Sequence, residues 1–183
     1  MHFVPAKPVT QQAQGMVLKV RETLIDQRVG LINTVRGHAA EFGVIAGKGA
    51  AKVGALLSAI EQEASIPPEA REMFVLLGKQ IDDIDARIEE VDARLHAAHK
   101  ANEVSQRLTT IPGVGPIIAL TLAVEIDPMM FESGRHLAVW AGLTPKERST
   151  GGRQRMGGIS RAGHEPLRVL LVSGATSVIK RPP

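Results

Sequence analysis

Between Pro145 and Arg168 the chain reads P-K-E-R-S-T-G-G-R-Q-R-M-G-G-I-S-R-A-G-H-E-P-L-R, and most of its usable chemistry lies there. Two adjacent hydroxyls, Ser149 and Thr150, stand in a glycine-rich stretch among Arg148, Arg153, Arg155 and Arg161. Glycine lets backbone approach a ligand closely, and arginine offers a planar, permanently charged fork suited to phosphate. A hydroxyl in this setting is either a phosphate ligand or a nucleophile aimed at phosphorus. Serine is a weak nucleophile until a base activates it. Glu147 and His164 are the nearest bases in sequence, and neither spacing identifies a dyad. On the residues alone, an arginine-lined phosphate-binding loop therefore ranks ahead of catalysis.

Charge points to the same part of the chain. From Ser133 to Pro183 there are nine Lys/Arg against two Glu, a balance of +7, while the remainder carries −4. A polyanion is the natural partner of such a basic segment; the plainer reading is a solvated basic surface. Four Phe, one Trp and no Tyr argue against recognition of single strands by base stacking. The absence of Tyr also removes a tyrosine nucleophile, and the absence of Cys removes disulfides, thiolate metal sites and a cysteine nucleophile. No apolar run approaches a membrane span, and the first residues lack a signal-peptide pattern. A soluble, intracellular protein of the cytoplasm is expected.

The elements that must position this loop are helical. Val17, Val20, Leu24, Leu31 and Val35 give residues 10–42 an apolar stripe at helical spacing. The G-V-I-A-G-K-G that follows resembles a phosphate-binding P-loop only superficially, its glycines being one residue too close. A shorter helix over 52–64 stops at Pro67-Pro68. Then Phe74, Leu77, Ile81, Ile84, Ile88, Val91, Leu95 and Ala98 alternate spacings of three and four, a heptad seam that predicts a coiled coil. Asp82, Asp85, Glu89 and Asp92 on its flank read as a solvated acidic face. His96 and His99, one turn apart with no third ligand near, read as structural; no metal site is expected within the chain.

Past Ser105, I-P-G-V-G-P between two apolar segments matches a helix-hairpin-helix. Its Gly113 and Gly115 would expose backbone N–H groups to a DNA phosphate at a helix N-terminus. The competing reading is a plain tight turn between packed helices. Ser133 is suited to cap a short helix through Trp140, and Gly151-Gly152 to turn a small β-hairpin. Pro166 suits the first turn of a last helix that would bury Leu167, Leu170, Leu171 and Val178. The expected fold is mainly α: long coiled-coil helices joined to a compact helical domain with a helix-hairpin-helix and a small β-hairpin or irregular Gly/Arg loop. The expected divisions are an N-terminal helical region over 1–68, a coiled-coil helix over 69–106 and a C-terminal domain over 107–183.

The run I-P-G-V-G-P, then F-E-S-G-R-H-L-A-V-W-A-G-L-T-P-K-E-R-S-T-G-G-R-Q-R-M-G-G-I-S-R-A-G-H-E-P-L-R, resembles the C-terminal transposase domain of the insertion-sequence 110 family. Its S-T-G-G-R-x-R-x-G-G-I-S-R form is most similar to the insertion-sequence 1111 branch, and F-V-P-A-K-P near the N-terminus is similar to the family's middle region. The resemblance implies a DNA transposase that inserts elements site-specifically under a bridge guide RNA. It also implies dimers through the coiled coil and a catalytic serine that maps to Ser149, with Thr150 as the alternative register. Arg148, Arg153, Arg155 and Arg161 would bind DNA phosphate. The family's Mg²⁺ is held by an acidic RuvC-like domain that should precede this segment, so its ligands are expected outside this chain. A truncated and inactive copy is thus the expectation, with a separate acidic partner chain less favoured. A dimerising nucleic-acid-binding module without catalysis is the alternative reading, and a helical dimerisation protein with a merely solvated basic loop the third.

Overall fold

A computed structural model describes residues 7–47 and 49–180; Lys48 and the F-V-P-A run lie outside the described residues. Seven helices follow one another: α1 (Val9–Glu41), α2 (Val53–Gln62), α3 (Pro68–Lys100), α4 (Glu103–Leu108), α5 (Pro116–Glu125), α6 (Gly134–Trp140) and α7 (Glu165–Lys180). Two short antiparallel strands, β1 (Pro145–Glu147) and β2 (Met156–Ile159), stand between α6 and α7. The protein is mainly α, as its apolar periodicity predicts. The chain forms two compact units, one of Met16–Arg94 and one of Met1–Gly15 with Leu95–Pro183.

In the first unit the heptad seam of α3 is covered by its own chain. Phe74, Ile81 and Ile88 are buried, with Leu77, Ile84 and Val91 half-buried between them. Ile32, Val35 and Ala39 of α1, Val53, Leu56 and Ile60 of α2, and Ile66 join Phe74 and Ile81 in one core. Phe42 meets Phe74 edge-on, ring centroids 6.3 Å apart. Each fully buried Leu or Ile here contributes ~1.5–3 kcal/mol. The stripe of α1 lies close to the expected one: Val35 is buried and Val17, Leu24 and Leu31 are half-buried, while Val20 is exposed and Leu18, Ile32 and Ala39 join the buried side. Spacing alone leaves that choice open because α1 is apolar at neighbouring positions as well.

Two ion pairs set the direction of α1 against α3. Arg21 Nε lies 2.5 Å from Asp92 Oδ1, and Arg28 Nη1 lies 2.7 Å from Asp85 Oδ1. One step of seven residues up α1 is one step of seven down α3, so the helices run antiparallel. Part of the acidic flank of α3 is therefore an intrachain partner for α1 as well as a solvated face. The turn into α3 is held by Arg71, whose Nη2 donates to the Glu63 and Ile66 carbonyls at 2.8 and 3.3 Å. Hydrogen bonds from the Ser65 hydroxyl and backbone N–H hold the Glu63 carboxyl below its ordinary range. The glycine loop after α1 is held by Arg36, which donates to the carbonyls of Gly47 and Gly49.

The second unit is built around α5. Ile118, Ala119, Leu120, Thr121 and Val124 are buried along its ten residues, the mark of a helix enclosed on most sides. Helix α3 ends at Lys100, and Asn102 caps α4 by accepting the Ser105 N–H. His99 Nδ1 lies 2.8 Å from the buried Ser105 Oγ, which gives His99 the structural place expected of it. Of the expected α7 contacts Leu167 is fully buried, and Leu170, Leu171 and Val178 are half-buried.

Candidate nucleic-acid interface

The basic stretch forms a two-stranded hairpin. Its turn is Thr150-Gly151-Gly152-Arg153, closed by Arg153 N–H donating to the Thr150 carbonyl at 3.2 Å. Both glycines have positive φ, +59° and +77°, as the tight two-residue hairpin turn demands and as glycine alone adopts without cost. Glu147 pairs with Met156 and Thr150 with Arg153, so a single register runs from the turn to β1. Nearer the root the register shifts by one residue, with Pro145 opposite Ile159.

The root of the hairpin is more constrained than its tip. Ser160 N–H donates to Thr144 O at 2.8 Å, Arg161 N–H to Gly142 O at 3.2 Å and His164 N–H to Trp140 O at 3.2 Å. The two chain segments pass so closely that a Cβ at Gly142 would lie 1.8 Å from Ala162 O, and one at Gly163 2.0 Å from Trp140 O. Only glycine fits at either place. Arg168, 6 % exposed, locks the crossing by donating from Nη1 to Ala141 O at 3.3 Å and Ala162 O at 3.5 Å. A charge this deep needs such carbonyl partners.

His164 is part of the same support. Its Nδ1 accepts the Leu167 N–H at 3.3 Å, capping α7, which leaves the ring proton on Nε2. That nitrogen lies 3.1 Å from Glu125 Oε2, close but off a good hydrogen-bond line, since this buried oxygen has no hydrogen-bond partner among the described residues. The ring stacks on Trp140 at 5.0 Å, and Trp140 meets Phe131 edge-on at 5.6 Å. Both ring nitrogens of His164 are thus engaged away from Ser149. Arg168, Glu125 and Trp140 carry no sequence signal of this role: Arg168 reads as one more cation in a basic run.

The predicted site residues divide into two places. Arg148, Thr150, Arg153 and Arg155 lie exposed on the hairpin, with Ser149 half-buried among them and Arg161 exposed at its exit. Ser149 Oγ accepts the Arg155 backbone N–H at 3.1 Å, while Arg148 N–H donates to Arg155 O at 2.8 Å. None of Arg148, Arg153, Arg155 or Arg161 forms an ion pair among the described residues. Arg161 sits at φ +56°, where a side chain costs ~1–2 kcal/mol.

Gly113 and Gly115 lie in the turn between α4 and α5, and they differ. A Cβ on Gly113 would meet Gly174 O of α7 at 2.7 Å, whereas one on Gly115 meets nothing. Gly113 therefore has a packing reason to be glycine, and Gly115 caps the N-terminus of α5 with Pro116 following. Among the described residues no three His, Asp or Glu side chains converge as metal ligands. No described helix is long and apolar enough to cross a membrane.

The structure thus defines a helical domain that holds a hairpin of exposed arginines on a tightly packed root. Comparison with known proteins gives its similarities. Residues 105–183 match the family described as the transposase IS116/IS110/IS902 family. Nearly all of the chain, 99 %, is 47 % identical to "Putative transposase y4pF/y4sB" of Sinorhizobium fredii, covering 47 % of that protein. It is 38 % identical to "Probable family 20 transposase" of Pseudomonas aeruginosa (98 % of this chain, 54 % of the relative). It is 33 % identical to "Transposase for insertion sequence element IS1111A" of Coxiella burnetii (98 % and 50 %). The chain spans about half the length of these curated relatives.

Proposed function

We propose that this chain supplies the serine-bearing, DNA-binding portion of an insertion-sequence transposase. Ser149 is its nucleophile for strand cleavage and transfer. The observation that carries the reading is the hydroxyl pair set among three exposed arginines on a hairpin with a locked root and a fourth at its exit, none ion-paired among the described residues. Ser149 Oγ attacks a DNA phosphorus, the new P–Oγ bond forms as the bond to the leaving strand breaks, and the leaving oxygen takes up a proton. The serine proton passes to solvent or to a base from outside the hairpin, since among the described residues Oγ is engaged only as an acceptor from Arg155 N–H. Arg148, Arg153 and Arg155 bind backbone phosphate of the DNA, Arg161 adds to the basic field at the exit, and Gly113 with Gly115 lies against backbone elsewhere. Mg²⁺ and a guide RNA belong to the whole transposase in this reading, with the metal ligands on a part this chain does not carry.

A non-catalytic DNA-binding module is the second reading, favoured by the lack of a base at Ser149. Dimerisation enters either reading on different terms from a free heptad seam. Phe74, Ile81 and Ile88 are already covered within the chain, so a second copy would have to displace α1 or use another surface.

The test combines the chain with DNA flanking its gene, Mg²⁺ and the part of the Sinorhizobium relative that the chain does not cover. The expected result is a protein–DNA adduct that survives denaturation and is lost in Ser149→Ala. An adduct that persists in Ser149→Ala but vanishes in Thr150→Ala moves the nucleophile to Thr150. Retained DNA binding without adduct in any combination leaves the binding module.

A further inference from the structure

The hairpin's register sorts its residues onto two faces. Side chains alternate along a strand, and directly paired residues share a face. Thr150 pairs with Arg153 and Glu147 with Met156, so Arg148 stands opposite Arg155 and Ser149 opposite Gln154. The Arg148 N–H to Arg155 O bond is the one expected of that pairing. One face therefore carries Lys146, Arg148, Thr150, Arg153 and Arg155. The other carries Glu147, Ser149, Gln154 and Met156. Every cation of the ribbon falls on the first face and its one acid on the second.

Neither face is used to fold the protein. All residues of β1 and β2 are exposed, so the ribbon has no core side, and Met156 stands 61 % exposed. A two-stranded ribbon that is wet on both faces, with like charges gathered on one, lacks the partner that would neutralise it. Arg148 and Arg155, directly opposite one another, repel across the strand pair, an arrangement that is favourable only when an anion lies over them.

We infer that the ribbon grips the phosphodiester backbone of duplex DNA with its Lys146/Arg148/Arg153/Arg155 face, with Thr150 as a hydroxyl ligand on it. Ser149 faces the other way. The phosphate held by the arginine face is then not the phosphate Ser149 addresses: the ribbon anchors the duplex on one face and leaves the nucleophile free on the other. This rests on the DNA-binding reading above and assigns its geometry. A two-stranded ribbon fits the ~12 Å major groove of B-form DNA, whereas the deep, narrow major groove of duplex RNA admits no such element.

The same negative charge placed at neighbouring positions tests the face assignment. Ser149→Asp and Thr150→Asp each add one carboxylate to the whole chain at adjacent residues, and the carboxylate introduced by Ser149→Asp can still accept the Arg155 N–H. Affinity for a 20-base-pair DNA duplex is measured by fluorescence anisotropy at physiological salt, beside a duplex RNA of the same sequence, with circular dichroism melting to check the fold. Thr150→Asp is expected to weaken DNA binding about tenfold, with Ser149→Asp within about threefold of the parent and duplex RNA bound more weakly than DNA. Equal loss in both variants overturns the face assignment and leaves DNA binding by the hairpin intact. Unchanged affinity in both removes the hairpin from the DNA surface. A parent chain that does not bind DNA overturns the proposed function itself, and RNA bound as tightly as DNA overturns the groove geometry.

Discussion

The arginines of the helical unit and those of the hairpin are the same residue put to opposite uses. In Met16–Arg94, Arg21 and Arg28 meet Asp92 and Asp85, and Arg36 and Arg71 are spent on backbone carbonyls. On the hairpin, Arg148, Arg153 and Arg155 are exposed and form no ion pair among the described residues. Paired arginines fix the direction of helices and close turns; unpaired ones concentrated on a ribbon outside any core mark a surface waiting for an anion. Charge content alone does not separate the two, because what matters is whether a carboxylate or carbonyl lies in reach.

The contrast is broken most forcefully by substitutions that unfold one region and spare the other. Leu56→Ala, at a site 2 % exposed, should cost ~2–5 kcal/mol in urea denaturation. Met156→Ala on the ribbon should stay within ~0.5 kcal/mol. A comparable loss at both positions would mean that the hairpin has a core after all. Gly163→Ala, with Trp140 O at 2.0 Å from the new Cβ, should lower the thermal midpoint of the second unit and weaken DNA binding together. Its root position would then be shown to matter to the interface.

Smaller effects sharpen the comparison. Asp92→Ala removes a half-buried partner of Arg21 and should cost ~1 kcal/mol, less at high salt, by the same denaturation assay. Arg161→Gly relieves a left-handed backbone and should raise stability by ~0.5–1 kcal/mol while weakening DNA binding, a pairing of gain and loss that a solvated bystander would not give. The smallest effect is a pH dependence. The Glu63 carboxyl is held low in the folded protein by Ser65, so its contribution is present above the unfolded carboxylate range and is lost as pH falls through the folded value. Glu63→Gln should remove that small contribution near neutrality and flatten the stability profile in the acidic window, so that the two proteins converge at its acidic end.

Much of this was legible in the sequence. The heptad of α3, the cap at Ser133, the Pro166 start of α7 and the Gly151-Gly152 turn are local signals, set by spacing and by the few residues that tolerate each backbone. What escaped was long-range. The partner of the α3 seam is α1 of the same chain, and periodicity cannot tell a seam that closes on itself from one that pairs with a copy. Arg168 and the Glu125–His164–Trp140 group support the hairpin through contacts between residues far apart in sequence, such as Arg168 with Ala141. The hydroxyl pair looks interchangeable as a string; strand register separates it, because neighbours on a strand face opposite ways.

The central claim is that the unpaired arginines of the hairpin are the DNA-phosphate surface, and salt reports it most directly. Binding of the parent chain and of an Arg148→Ala/Arg153→Ala/Arg155→Ala variant to one duplex is measured across a series of salt concentrations. Removing one arginine–phosphate pair lowers the magnitude of the log–log slope by about 0.9, so a fall of roughly two to three is expected with the melting curve unchanged. An unaltered slope in the folded variant would contradict the account.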